Sequence, residues 1–130
     1  MNLKSSCAIA AILVAGMAIG SILTTALRAQ SSPPAYLVAE ETIHDMDTFA
    51  NEYGPKVPPT LQPYGGRFIV RGGQLTALEG EPPPRFVIIA FDSVDKARAW
   101  YRSPAYQQLA PIRQRASKST LFIAEGVPTN

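Results

Sequence analysis

Four stretches of the chain carry the apolar patterns of β-strands. They are residues 36–42, 67–71, 85–91 and 121–124. Apolar and polar positions alternate in the first stretch, as in a strand with two different faces. The third stretch is apolar on both faces, so both of its sides must be covered.

Helix signals separate these strands. Asp45 is a preferred N-cap, and a helix is expected after it that prolines break into short turns before Gly65. Ser93 caps a second helix, and Ser103 followed by Pro104 starts a further one. Its buried stripe is predicted to contain Ala105, Leu109, Ile112 and Ala116, with Pro111 kinking or loosening the turn. Trp100, Tyr101 and Tyr106 lie at helical spacing and are predicted to pack in the core or anchor the helix junction.

The order βαββαβ predicts an α+β, ferredoxin-like sandwich. Its four-stranded antiparallel sheet has both helices on one side. The other side, the open face, has no helix of its own to cover it, and we assign apolar residues such as Val87 and Ile89 to it. The simplest cover is the same face of a second copy, which predicts a homodimer.

Residues 1–29 have the features of a signal peptide or an N-terminal membrane anchor. Lys4 precedes an apolar run that ends in the small residues 24–26, as a signal peptidase requires. The run is also long enough to cross a bilayer, since about 20 residues suffice. We expect export to a periplasm or secretion, with membrane anchoring through this segment as the alternative.

The predicted leader changes the charge and thiol content of the domain. Residues 30–34 are expected to be a linker, 35–127 the folded domain and 128–130 a tail. Loss of Lys4 and Arg28 leaves ten basic and ten acidic residues, so no general attraction to nucleic acid is expected. The single cysteine, Cys7, lies in the leader.

Two segments carry a family resemblance. Residues 64–73 place a short strand between two glycine pairs, and residues 91–106 run from a strand into a capped helix. From about Ala35 to Val127 the chain resembles the domain-of-unknown-function family 1330, a branch of the dimeric α/β-barrel superfamily. The resemblance implies ferredoxin-like units that pair into a dimeric α/β barrel, and it implies no agreed activity.

A cluster of basic and phenolic residues is the first candidate site. Alternation puts Arg67 and Arg71 on one face of the second strand, which we assign to the open face. The strand order would bring Arg71 close to Arg85, with Tyr36 at the same end. Two guanidinium groups and a phenol suit a carboxylate or another anion. The alternative is structural ion pairing with Glu79, Glu81 or Glu125.

Proton carriers are the second candidate. Glu40 and Glu41 are adjacent in a strand and must point to opposite faces, and a partly buried carboxylate can act as a general base. His44, the single histidine, is favoured as a loop residue ahead of a helix cap. Some relatives in the superfamily bind haem through a helical histidine, whereas His44 precedes its helix. No ligand spacing for a metal is visible, and we expect no cofactor.

These observations predict an exported dimer that binds a small organic molecule, which can be anionic, in a cleft of the open face. Arg71, Arg85, Tyr36 and Arg67 are the expected ligand-binding residues. The alternative is a cofactor-independent isomerase, lyase or oxygenase with Glu40 or His44 as proton carrier. A structural homodimer without a ligand is the third possibility.

Overall fold

A four-stranded antiparallel sheet forms the frame of the computed structural model, which describes residues 32–130. The strands are β1 (Ala35–Ile43), β2 (Arg67–Arg71), β3 (Arg85–Phe91) and β4 (Ser117–Glu125), in the spatial order β2-β3-β1-β4. This order and the βαββαβ sequence of elements confirm the predicted α+β, ferredoxin-like fold. The predicted leader and the first two residues of the predicted linker lie outside the described residues.

Helices lie in the two crossovers. The first contains α1 (Met46–Thr48), a π-helical turn (Phe49–Tyr53), a 3₁₀ turn (Gly54–Lys56), α2 (Val57–Leu61) and a 3₁₀ turn (Gln62–Tyr64). The second contains α3 (Val94–Arg102) and α4 (Pro104–Ala116). Prolines stand in the first turn of three of the short elements, in agreement with the predicted breaks. None of the helices in residues 32–130 combines the length and the apolar character needed to span a membrane.

One face of the sheet, here called the helix face, packs against these helices. Its core side chains come mainly from β1 and β3, namely Ala35, Leu37, Ala39, Val87, Ile89 and Phe91. Val87 and Ile89 therefore lie on the helix face, and their predicted position on the open face is wrong. The open face instead contains the alternate residues of β3, including Phe86 and Ile88, which pair with Glu40 and Val38 of β1.

A β-bulge in β2 changes which of its residues share a face. Phe68 pairs with Ile89, but Val70 pairs with Ile88 and Arg71 with Val87, so Ile69 is the extra residue. A bulged residue breaks the simple alternation of side chains. Arg71 consequently lies on the helix face, and its predicted position on the open face is wrong.

The aromatic residues at the α3–α4 junction are core residues, as predicted. The Trp100 and Tyr106 rings have centroids 4.1 Å apart, and both side chains are fully buried. Trp100 Nε1 donates a 2.9 Å hydrogen bond to Thr60 Oγ1, which ties α3 to α2. The buried stripe of α4 includes Tyr106 rather than the exposed Ala105, and the helix continues through Pro111.

Candidate functional site

A small cavity lies between the helix face and the first crossover. Its apolar lining includes Leu37, Ala39, Phe49, Val87, Ile89 and Trp100. About 40 Å³ is open to the centre of a water molecule, which is enough for two or three waters. The π-helical turn contributes the buried residues Phe49 and Tyr53 to this lining, and such turns often occur at functional sites.

An ion pair forms part of the cavity lining. Arg85 Nε donates to Glu41 Oε2 over 3.0 Å, across the β1–β3 register pair that these residues form. The Glu41 side chain is only 4% exposed, whereas that of Arg85 is 28% exposed. Burial raises the pKa of Glu41, although Arg85 and Arg113 act in the opposite direction. Glu41 therefore holds a proton more readily than an ordinary carboxyl group does.

The same ion pair lines a second, more open space. This outer cleft has a volume of about 280 Å³ and is lined by Glu41, Ile43, Met46, Gly72, Pro84 and Arg85. Because Glu41 and Arg85 line both spaces, their ion pair lies in the wall between the cavity and the outer cleft.

Gly72 makes room for the Arg85 guanidinium. Its backbone has a φ of +68°, in the left-handed region that favours glycine. A Cβ built there would lie only 2.6 Å from Arg85 Cζ. The space beside Arg71 that the glycine leaves is thus filled by Arg85.

A series of buried hydrogen bonds contributes two further polar groups to the cavity lining. Arg113 Nε donates to Tyr106 Oη over 3.2 Å, and Tyr106 Oη lies 3.0 Å from Tyr53 Oη. Both phenols line the cavity, and Arg113 is 5% exposed. Burial, followed by the neighbouring Tyr106, raises the pKa of Tyr53. The Tyr53 phenol therefore stays protonated at neutral pH and can donate a hydrogen bond.

Arg71 closes the edge of the cavity. Its Nη2 donates to the carbonyl oxygen of Gly54 over 2.9 Å, and its guanidinium lies 4.3 Å from the centre of the Phe68 ring. Both contacts hold the charge at the mouth of the cavity while leaving the residue exposed. Arg71 is thus available to a ligand that enters from this side.

The sequence profile described as Domain of unknown function (DUF1330) matches residues 34–127. The chain belongs to this family. No match was found among curated proteins.

Two solved structures of one protein share the fold, and a third structure is less similar. The crystal structure of RPA0582, a protein of unknown function from Rhodopseudomonas palustris, has a TM-score of 0.60 at 20% identity, covering 82% of this chain and 93% of that one. Methylated RPA0582 gives a TM-score of 0.61 at 20% identity, with coverage of 82% and 90%. SnoaB, a cofactor-independent oxygenase from Streptomyces nogalater, gives 0.46 at 16% identity, covering 75% and 97%. The RPA0582 structures establish the relationship at the level of the fold.

The four predicted ligand-binding residues are divided between the two faces of the sheet. Arg71 and Arg85 both line the cavity on the helix face. Arg67 and Tyr36 pair with Ala90 from opposite sides, which puts them on the open face. Tyr36 is also at the far end of β1 from Glu41, the partner of Arg85. The predicted convergence of Tyr36 with the arginines is therefore wrong.

The predicted proton carriers lie outside the cavity lining. Glu40 is exposed on the open face, and His44 is exposed in the bend before α1. The backbone N–H groups of His44 and Asp45 both donate to the Ala116 carbonyl at 3.0 Å. Asp45 accepts from Thr48 N over 3.1 Å, which agrees with its prediction as a helix cap.

Sequence reasoning did not assign the inner polar residues to the site. Tyr106 was interpreted only as a core or junction residue, and neither Tyr53 nor Arg113 was named as a candidate. One signal was present: Arg113 follows Leu109 by four positions and precedes Ala116 by three, so it falls in the buried stripe of α4. Within residues 32–130, no three His, Cys, Asp or Glu side chains are grouped closely enough to hold a metal ion.

Proposed function

We propose that this protein binds a small organic anion in the cavity between the sheet and the first crossover. The supporting observation is an apolar cavity whose lining includes a few polar groups, namely Glu41, Arg85, Tyr53 and Tyr106. Ligand sites typically have this combination of an apolar lining and a few oriented polar groups. The proposal moves the ligand from the open face, where the sequence suggested it, to the helix face.

The charges around the cavity favour an anion. Arg71 and Arg85 line it, Arg113 donates a hydrogen bond to Tyr106, and Glu41 is the one carboxylate in the lining. Among the described residues, no carboxylate lies within ion-pair distance of Arg71 or Arg113. An anion in the cavity would therefore gain attractive charge interactions with these guanidinium groups.

The two spaces also suit a ligand when taken together. The cavity alone admits only a small group. Combined with the outer cleft, the volume just exceeds the roughly 300 Å³ at which ligand pockets begin. Movement of the partly exposed Arg85 side chain would join the two spaces, so that a ligand group could replace Glu41 as its partner.

Native mass spectrometry after exposure to a metabolite mixture tests the proposal. Ala39→Leu should fill part of the cavity and abolish retention of the ligand, because Ala39 is a buried residue of the lining. Ala99→Leu, on the exposed side of α3, is the matched control and should retain it. Equal retention by wild type and Ala39→Leu would show that the ligand binds elsewhere.

Cofactor-independent proton transfer is a second candidate function, supported by the raised pKa of Glu41 at the cavity wall. Glu41 takes the role that the sequence analysis gave to Glu40 or His44. Its carboxylate would remove a proton from a carbon next to a carbonyl group and return it to another position. Incorporation of deuterium from solvent into the retained molecule, lost in Glu41→Gln, would support this function.

We also propose that the domain acts as a homodimer through the open face and that residues 1–29 direct its export. Apolar residues on that face, including Phe86 and Ile88 of β3, support the first proposal. The apolar run after Lys4 supports the second. Intact-mass analysis of protein from the cell exterior checks export, and recovery of the full-length chain only from membranes would favour the anchor.

A further inference from the structure

We propose that the Tyr53–Tyr106 pair presents one phenol proton to the cavity and thereby selects a ligand with an anionic or electron-rich oxygen, such as a phenolate, an enolate or a carboxylate. This inference rests on the proposed ligand site and specifies the chemistry of the bound group.

The count of donors and acceptors supports it. Arg113 Nε–H can only donate, and it donates to Tyr106 Oη. The two phenols supply two further protons but share a single hydrogen bond with each other. Within residues 32–130, neither hydroxyl has another hydrogen-bond partner. Whichever phenol donates to the other, one O–H has no acceptor in the described part of the protein.

The contact with Arg113 determines which of the two phenols donates in the hydrogen bond between them. Because Tyr106 accepts from a guanidinium, its O–H bond is polarised and becomes a better donor. Tyr106 therefore donates to Tyr53, and the proton of Tyr53 is free. Tyr53 lies in the π-helical turn and lines the cavity, so a ligand oxygen there would receive this proton in a hydrogen bond.

The hydrogen bonds from Arg113 through Tyr106 to Tyr53 also polarise the O–H group that would contact the ligand. Arg113 is buried and has no carboxylate within ion-pair distance among the described residues. Two phenols in series link its charge to the cavity, so an oxygen that carries negative charge gains more than a neutral one. The site is thus predicted to prefer the ionised form of an acidic ligand.

Equilibrium dialysis with two probes of similar shape tests this preference. 4-Nitrophenol has an ionisable oxygen whose anion is visible by its absorption, and 4-nitroanisole carries a methyl group on that oxygen. Wild-type protein should bind 4-nitrophenol roughly tenfold or more tightly, the value of a hydrogen bond to a charged group. The bound fraction should also contain more of the anion than the free fraction at the same pH.

The double variant Tyr53→Phe/Tyr106→Phe should lose this preference and bind both probes equally. Tyr36→Phe, which changes a tyrosine of the open face, is the matched control and should keep it. If the double variant does not fold, each single variant should show a reduced preference, because Tyr53→Phe removes the phenol with the free proton and Tyr106→Phe removes the link between Tyr53 and Arg113. Equal binding of both probes by wild type overturns the inference and leaves the ligand site standing, whereas uptake of neither contradicts both.

Discussion

At Gly72 the absence of a side chain directly determines where the Arg85 guanidinium can lie. Any other residue at this position would be strained at the φ of +68°, and its Cβ would overlap the Arg85 guanidinium. We expect Gly72→Ala to lower the free energy of unfolding by about 1–3 kcal/mol, the usual cost of a left-handed residue other than glycine.

The neighbouring glycine provides the control. No atom lies within 4 Å of a Cβ built on Gly73. Gly73→Ala should therefore change the free energy of unfolding by less than about 0.5 kcal/mol. Urea denaturation of both variants measures the difference, and equal losses would contradict the role assigned to Gly72.

Glu41 makes a pH-dependent contribution to stability with a defined sign. Its pKa in the folded protein is raised above the ordinary value of 4.5, mainly by burial. The folded state then binds the proton more tightly than the unfolded state does. The contribution is complete below about pH 4.5 and is lost as the pH rises through the folded pKa.

Comparison with Glu41→Gln isolates this contribution from those of the other carboxylates. The stability of wild type relative to Glu41→Gln should decrease as the pH rises above about 4.5. Thermal unfolding over a pH series measures the difference, and a wild-type advantage that grows with pH would refute the assignment.

At the scale of elements, sequence patterns located the strands well. The predicted ranges 67–71 and 85–91 agree with β2 and β3. The assignment of faces was less successful, because a bulge at Ile69 shifts the register of β2 and the residue types of this strand do not reveal it. That shift moved Arg71 to the helix face. Strand three is apolar at both sets of positions, so its pattern could not distinguish Val87 from Ile88.

The candidate site was predictable only in part for a related reason. The pairing of strands brought Arg71 and Arg85 to the same cavity, as the strand order implied. The partners from the helices depend on contacts between distant parts of the chain, such as Tyr53 with Tyr106. A single sequence contains no local signal for a hydrogen bond across 53 positions.

Ser103 links α3 to α4 and holds Tyr106 in place. Its Oγ donates to the Trp100 carbonyl over 2.7 Å and accepts from Tyr106 N over 3.2 Å, in a buried position. Ser103→Ala should cost about 2 kcal/mol, the upper end for an N-cap. Ser93→Ala removes one cap bond, to Lys96 N, and should cost about 1 kcal/mol. Denaturant unfolding compares them, and a larger loss at Ser93 would contradict this ranking.

At the scale of the whole molecule, the helices of residues 32–130 cover one face of the sheet and leave the other face without a helix. On the other face, Phe122 is 47% exposed, and Phe86 and Ile88 are half-buried. A second copy that presents the same face would bury these side chains against their equivalents, as in a symmetric dimer. In such a dimer the contact residue of β3 would be Ile88 rather than Val87 or Ile89, because those two side chains already belong to the core.

Dimerisation through the open face predicts a specific response to a buried charge. Ile88→Lys would put an ammonium group without a partner at the centre of the interface, where it costs several kcal/mol. The variant should sediment as a monomer at micromolar concentration, while wild type sediments as a dimer. Ala99→Lys adds the same charge on the exposed side of α3 and should leave the dimer intact. Ile88 does not belong to the core of the subunit, so the variant should still fold. Its circular dichroism spectrum should therefore match that of wild type. A monomeric wild type, or a dimeric Ile88→Lys variant, would refute this interface.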